Sequence, residues 1–133
     1  IGQYKNPTIC NAEVLRLVSD SLQSVAIEVR PFEAILDFAK TVEDFVYFDP
    51  PYHPLSDTSS FTGYSRYAFN EQDQIQLRDT FAELARRGVK VMLSNSDCSL
   101  VRELYKDFHI HEVLATRAIN SKAEKRGKIT EIL

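Results

Sequence analysis

The run Phe45-Val46-Tyr47-Phe48 is closed by Asp49-Pro50-Pro51-Tyr52, and this stretch constrains the fold more than any other in the chain. Four large apolar residues, β-branched or aromatic, make too short a run for a helix and read as a strand covered on both faces. Two prolines directly after it cannot donate to a β-ladder and fix their own φ, so the strand must stop there and leave in one rigid direction. A carboxylate, two prolines and an aromatic ring therefore emerge together from the end of a core strand.

The rest of the chain alternates around that strand. Asn11 offers an N-cap to a helix with Val14, Leu15, Val18 and Leu22 on one face. A short strand is expected over Val25–Val29, and Pro31 suits the first turn of a second helix through about Lys40. Residues 53–69 have no helical period and read as a long functional loop. Asn70 then caps a helix with Leu77, Phe81 and Leu84 on one face and Gly88 as its stop. Val89–Leu93 is a strand, Ser94–Asp97 a polar turn, Leu100–Tyr105 a short helix, and His109–Thr116 and Ile129–Leu133 two final strands. Strands alternating with helices predict an α/β fold with a largely parallel sheet, the last two strands pairing antiparallel at one edge. In such a sheet ligands bind at the carboxyl ends of the strands, which puts Asp49 and Ser94–Asp97 in one crevice.

Composition narrows the function classes. With 133 residues, 44% hydrophobic and 26% charged, the chain can bury a single core, and it has no apolar run long enough for a membrane span or signal peptide. The expected setting is the cytoplasm. Cys10 and Cys98 have no partner spacing, so a disulfide framework or zinc site is not expected. A net charge of -3 gives no global signature of nucleic-acid binding. Locally, Arg117, Lys122, Lys125, Arg126 and Lys128 face one acidic residue, Glu124, which reads as a solvated loop or a phosphate contact. The chain starts at Ile1 and stops at Leu133 inside an apolar run, so it is expected to be a piece of a longer protein.

Methylating the exocyclic amine of adenine makes demands that the central stretch meets. The lone pair of that nitrogen is delocalised into the ring, so acceptors must hold its hydrogens before it becomes a usable nucleophile. The Asp49 carboxylate can take one hydrogen and the Pro50 carbonyl the other, while Pro50 and Pro51 keep the acceptors preorganised. Tyr52 offers a flat face for an extruded base. The bland alternative is a strand ending in a proline-rich turn, with Tyr52 packed at the surface.

The sequence resembles the Dam-type adenine-specific DNA methyltransferases across nearly its whole length. The resemblance rests on an ordered set of segments: the strand with Asp49-Pro50-Pro51-Tyr52, then Pro54-Leu55-Ser56, and the loop Thr58-Ser59-Ser60-Phe61-Thr62-Gly63-Tyr64. Phe69 and a glutamine-containing helix follow, with Ser94-Asn95-Ser96-Asp97, Asn120-Ser121 and Lys125-Arg126-Gly127-Lys128 before Glu131-Ile132-Leu133.

The resemblance implies a partial Rossmann-like, S-adenosylmethionine-dependent methyltransferase sheet. Its implied reaction is methyl transfer to the 6-amino group of a flipped-out adenine in duplex DNA, with GATC as the implied site. Asp49, Pro50, Pro51 and Tyr52 would be the catalytic residues, Asp49 also facing the cofactor. Phe61, Tyr64, Tyr4, Lys5, Lys125 and Arg126 would contact substrate. Residues 1–10 would close a DNA-recognition region, and residues 11–133 would form the carboxyl-terminal part of the catalytic domain. A monomer without metal or membrane association, with a cognate restriction endonuclease as partner, completes the implication.

Plainer roles stand beside several of these: loop packing for Phe61 and Tyr64, and surface coil for Tyr4 and Lys5. Gln3 departs from the family pattern, standing where an arginine is expected. The four glycines, Gly2, Gly63, Gly88 and Gly127, form no Gly-x-Gly pair, so the usual cofactor-binding turn is expected upstream. Glu33 reads as a first-turn helix residue, His53 as a loop residue, and His109 with His111 as a pair without a third metal ligand. Two rival readings remain: an amine methyltransferase acting on RNA or a protein amide, and a catalytically incomplete DNA-binding remnant.

Overall fold

The computed structural model describes residues 10–55, 69–116 and 128–133, and the chain divides into two units, residues 1–30 and 31–133. In the first unit, α1 (Ala12–Leu22) begins where expected, the Asn11 Oδ1 accepting from the Val14 N–H at 3.2 Å. Its apolar face of Val14, Leu15, Val18 and Leu22 is exposed. The strand expected over Val25–Val29 does not form; these residues are irregular and none pairs in a sheet. β-branched residues favour a strand only where a neighbouring strand offers pairing and cover.

The second unit opens with a 3-10 helix, Phe32–Asp37, instead of an α-helix running to Lys40. The Phe38 and Ala39 N–H groups both donate to the Ile35 carbonyl, at 3.0 and 2.9 Å, which closes the turn. β1 (Phe45–Phe48) pairs in parallel with β2 (Lys90–Leu93), Val46 opposite Val91 and Phe48 opposite Leu93. Contrary to expectation, β1 is covered on one face only: Val46 and Phe48 are buried, Phe45 and Tyr47 exposed. The buried pair joins the core cluster with Leu77, Phe81, Leu84 and Leu93.

Between the strands runs α2 (Glu71–Arg86), and both its ends are fixed by the sequence. At the start, Asn70 Oδ1 accepts from the Gln72 and Asp73 N–H groups at 2.7 and 3.2 Å, and Asp73 Oδ2 accepts the Asn70 N–H at 2.7 Å. This reciprocal capping box satisfies donors that a bare helix end would leave open. At the other end Gly88 has φ 83°, with its N–H on the Ala85 carbonyl and the Val89 N–H on the Leu84 carbonyl. That is the paired ending in which glycine is favoured because a side chain at positive φ is strained. Leu77 and Leu84 are buried, each worth roughly 1.5–3 kcal/mol of apolar transfer. Phe81 packs edge-on against Tyr105 and Phe108, ring centroids 5.4 and 4.9 Å apart.

After β2, Asn95–Ser96 forms a short strand, β3, where a polar turn is expected. α3 (Ser99–Leu104) follows, then β4 (Glu112–Thr116) and β5 (Lys128–Ile132). β4 and β5 are antiparallel as expected, and β5 also pairs with β3, Asn95 opposite Ile132 and Ser96 opposite Glu131. The described strands thus form a parallel pair and a three-stranded antiparallel sheet, order β3-β5-β4. The mixed α/β class stands, with a larger antiparallel part than the sequence suggests. The buried side chains at 94–96 explain the difference, since a segment sunk in the core must satisfy its backbone by pairing.

Candidate active site

The carboxyl ends of β1 and β2 meet at Asp49 and Ser94. The Ser94 N–H donates to the Phe48 carbonyl at 3.0 Å, carrying the parallel pairing one step past the strands. Side chains at 45, 47 and 49 share one sheet face with their partners in β2, so Tyr47, Asp49 and Ser94 gather on the face opposite the core. The Tyr47 hydroxyl donates to Ser94 Oγ at 2.9 Å, and Ser94 Oγ donates to Asp49 Oδ1 at 2.8 Å.

Two hydroxyls in series therefore fix the Asp49 carboxylate while it stays exposed. Among the described residues Asp49 Oδ2 and the Pro50 carbonyl accept no hydrogen bond, so both acceptors remain open.

The segment after Asp49 is held by side chains from two other elements. Gln74 Nε2 of α2 donates to the Pro51 carbonyl at 3.1 Å, and the His53 N–H donates to Asn95 Oδ1 at 3.0 Å. Asn95 Nδ2 donates in turn to Gln74 Oε1 at 3.0 Å. Tyr52 is half-buried, its hydroxyl at the limit of hydrogen bonding, 3.5 Å from Glu131 Oε2. Burial first, and then the negative charges of Glu131 and Asp49, hold the Tyr52 phenol above its ordinary pKa, so it stays protonated and neutral. The His53 ring places Nδ1 3.1 Å from the Pro54 carbonyl and 3.8 Å from Cys98 Sγ.

Asp49 and Ser94 thus meet at the strand ends, but the four polar residues 94–97 diverge. Ser94 reaches Asp49 and Asn95 reaches His53, whereas Ser96 pairs with Glu131 of β5. Asp97 turns to Arg102, which donates to it at 2.6 and 2.9 Å and holds its carboxyl below the ordinary range. Tyr4, Lys5, Phe61, Tyr64, Lys125 and Arg126 lie outside the described residues. Gln74, Tyr47 and Glu131 reach the site although their sequence signals are ordinary for a helix or strand. An apolar cavity of about 340 Å³ runs along β2, lined by Phe45, Met92, Tyr105, Phe108 and Ile132, and residues 49–53 take no part in it. Among the described residues no group of three His, Cys, Asp or Glu side chains could hold a metal ion. Among them, too, no helix is long and apolar enough to cross a membrane.

A sequence model of the D12 class N6 adenine-specific DNA methyltransferases matches residues 1–119. The chain belongs to that family. A type II methyltransferase of Lactococcus lactis subsp. cremoris, M1.LlaDCHI, is 49% identical over 137 residues, covering 99% of this chain and 47% of the relative. The type II methyltransferase M.MjaIII of Methanocaldococcus jannaschii is 48% identical over 126 residues, covering 94% and 43%. The DNA adenine methylase of Escherichia coli K12 is 33% identical over 134 residues, covering 99% and 47%. The D12-class chain therefore spans just under half the length of these relatives.

Proposed function

We propose that the chain forms the base-holding part of an S-adenosylmethionine-dependent enzyme that methylates the 6-amino group of a flipped-out adenine in duplex DNA, within GATC. The observation that carries this reading is the Asp49 carboxylate held by Ser94 through one oxygen, directly before Pro50 at the end of a core strand. Asp49 Oδ2 accepts one amine hydrogen and the Pro50 carbonyl the other, which frees the nitrogen lone pair. Tyr52, neutral and half-buried, provides the stacking face. The bound cofactor supplies an electrophilic sulfonium methyl group. Once nitrogen has taken that methyl, its surplus proton is acidic enough to leave to Asp49 or to water, so Asp49 need not be a strong base.

Asp49, exposed just beyond the end of β1, is the residue of this chain assigned to the cofactor side. Residues 1–10 are read as the end of a DNA-recognition region and residues 11–133 as catalytic domain with a Rossmann-like sheet. Tyr4, Lys5, Lys125 and Arg126 are assigned to the DNA, and Phe61 and Tyr64 to the base pocket. The setting is cytoplasmic and the enzyme a monomer; the type II names of two relatives support a cognate restriction endonuclease as partner.

Full-length enzyme, given cofactor labelled in its methyl group, tests the substrate with duplex DNA, RNA and protein offered in parallel. Label in the adenine of GATC-containing duplexes is the expected result, and label confined to RNA or protein overturns it.

A further inference from the structure

Gln74 occupies a position that the pattern of α2 reserves for an apolar residue. It lies on the stripe of Leu77, Phe81 and Leu84, and it is 1% exposed; Asn95, its partner, is 0% exposed. Burying two primary amides costs stability unless their hydrogen bonds are made, and here they are made in one direction only. The Pro51 carbonyl can only accept, so Gln74 must turn its Nε2 toward it and its Oε1 away. The His53 and Ser96 N–H groups can only donate, at 3.0 and 2.8 Å, so Asn95 must turn Oδ1 to them and Nδ2 to Gln74. The two amides then match at 3.0 Å without ambiguity. The chain of bonds joins helix α2, strand β3 and the backbone on either side of Tyr52.

We propose that Gln74 and Asn95 are positioning residues for methyl transfer. They brace Pro51 and His53 so that the Pro50 carbonyl, the Asp49 carboxylate and the Tyr52 ring keep one relative geometry. This rests on the proposed methyl transfer to adenine. The brace touches neither base nor cofactor, and it acts through the backbone that carries the groups that do. Caps at Asn70 and Gly88 fix the ends of α2 and its buried stripe fixes the face turned to the core, which makes the placement of Gln74 a property of the fold and not of a loop.

The test uses full-length enzyme with Gln74→Met, which keeps side-chain length on an apolar stripe, and Gln74→Glu, which keeps the acceptor toward Asn95 and removes the donor toward Pro51. Rates are measured well below each variant's melting temperature. The expected result is a kcat lower by about tenfold or more with KM for DNA and cofactor within about threefold, the pattern of a lost transition-state arrangement. Exchange of the His53 amide hydrogen, which Gln74 does not contact, should quicken by about tenfold in Gln74→Met because Asn95 loses its anchor. A kcat within threefold of the parent in both variants overturns the proposal, and so does unchanged exchange at His53. If the parent leaves adenine unmethylated, the functional reading fails, and the exchange measurement still decides whether the brace exists.

Discussion

Asp49 is fixed by a serine that is itself fixed by a tyrosine, and the order of those hydroxyls decides what each substitution does. Ser94→Ala removes the donor that, among the described residues, orients the carboxylate, a hydrogen bond to a charged group worth about 1.5–3 kcal/mol. If that contact holds the carboxylate in the transition state, kcat in the full-length enzyme falls by about tenfold or more. Tyr47→Phe acts one bond further out and should cost no more than about threefold; steady-state kinetics of the two variants check this order. At this scale the sequence is legible where chemistry demands rare residue types: Asp49, Pro50, Pro51 and Tyr52 announce themselves. Gln74 does not, because a glutamine near a helix start is ordinary. Its one signal is its place three residues before Leu77 on the buried stripe, where a polar side chain needs a reason.

α2 holds its place by its ends as much as by its apolar face. Asn70→Ala should lower stability by about 1 kcal/mol, measured by urea unfolding of the full-length enzyme, since two N-terminal donors lose their acceptor. Near the other end Glu83 bonds Arg86 at 2.8 and 2.9 Å and Arg87 at 2.8 Å, and Arg87 also donates to the Leu36 carbonyl at 2.6 Å. Hydrogen bonds from Arg86 and then Arg87 lower the Glu83 pKa from 4.5 to about 2. A depressed carboxylate stabilises the fold above its unfolded pKa and loses that contribution as pH falls. The melting-temperature gap between the parent and Glu83→Gln should therefore be full above pH 4.5 and close by about pH 2. Caps and periods made α2 readable from the sequence in type and extent. The strand expected at Val25–Val29 and the turn expected at Ser94–Asp97 were not readable, because each depends on whether a distant segment pairs with it. β5 pairs with residues 95–96, and no described strand pairs with residues 25–29.

For the molecule as a whole, the match over residues 1–119 sets the family, and Ser94, Asn95 and Gln74 hold Asp49 and the backbone around Tyr52. The chain spans 47% of its relative from L. lactis, and its four glycines form no Gly-x-Gly turn for a cofactor. The 133 residues alone are therefore expected to bind S-adenosylmethionine weakly, and tight binding by calorimetry would count against the division of labour proposed here. The mixed α/β class was legible from alternating patterns. The one-sided cover of β1 was not, since an apolar tetrapeptide looks the same whether one face or two are covered. On the proposed mechanism Asp49 holds an adenine amine for methyl transfer. The most direct test of that role is single-turnover methylation of duplex DNA by the full-length enzyme and by Asp49→Ala, with N6-methyladenine counted after digestion. Product is expected from the parent and none above background from the variant, which should still unfold cooperatively and lose no more than the Ser94 hydrogen bond, because Asp49 lies outside the core. Near-normal methylation by Asp49→Ala would contradict it.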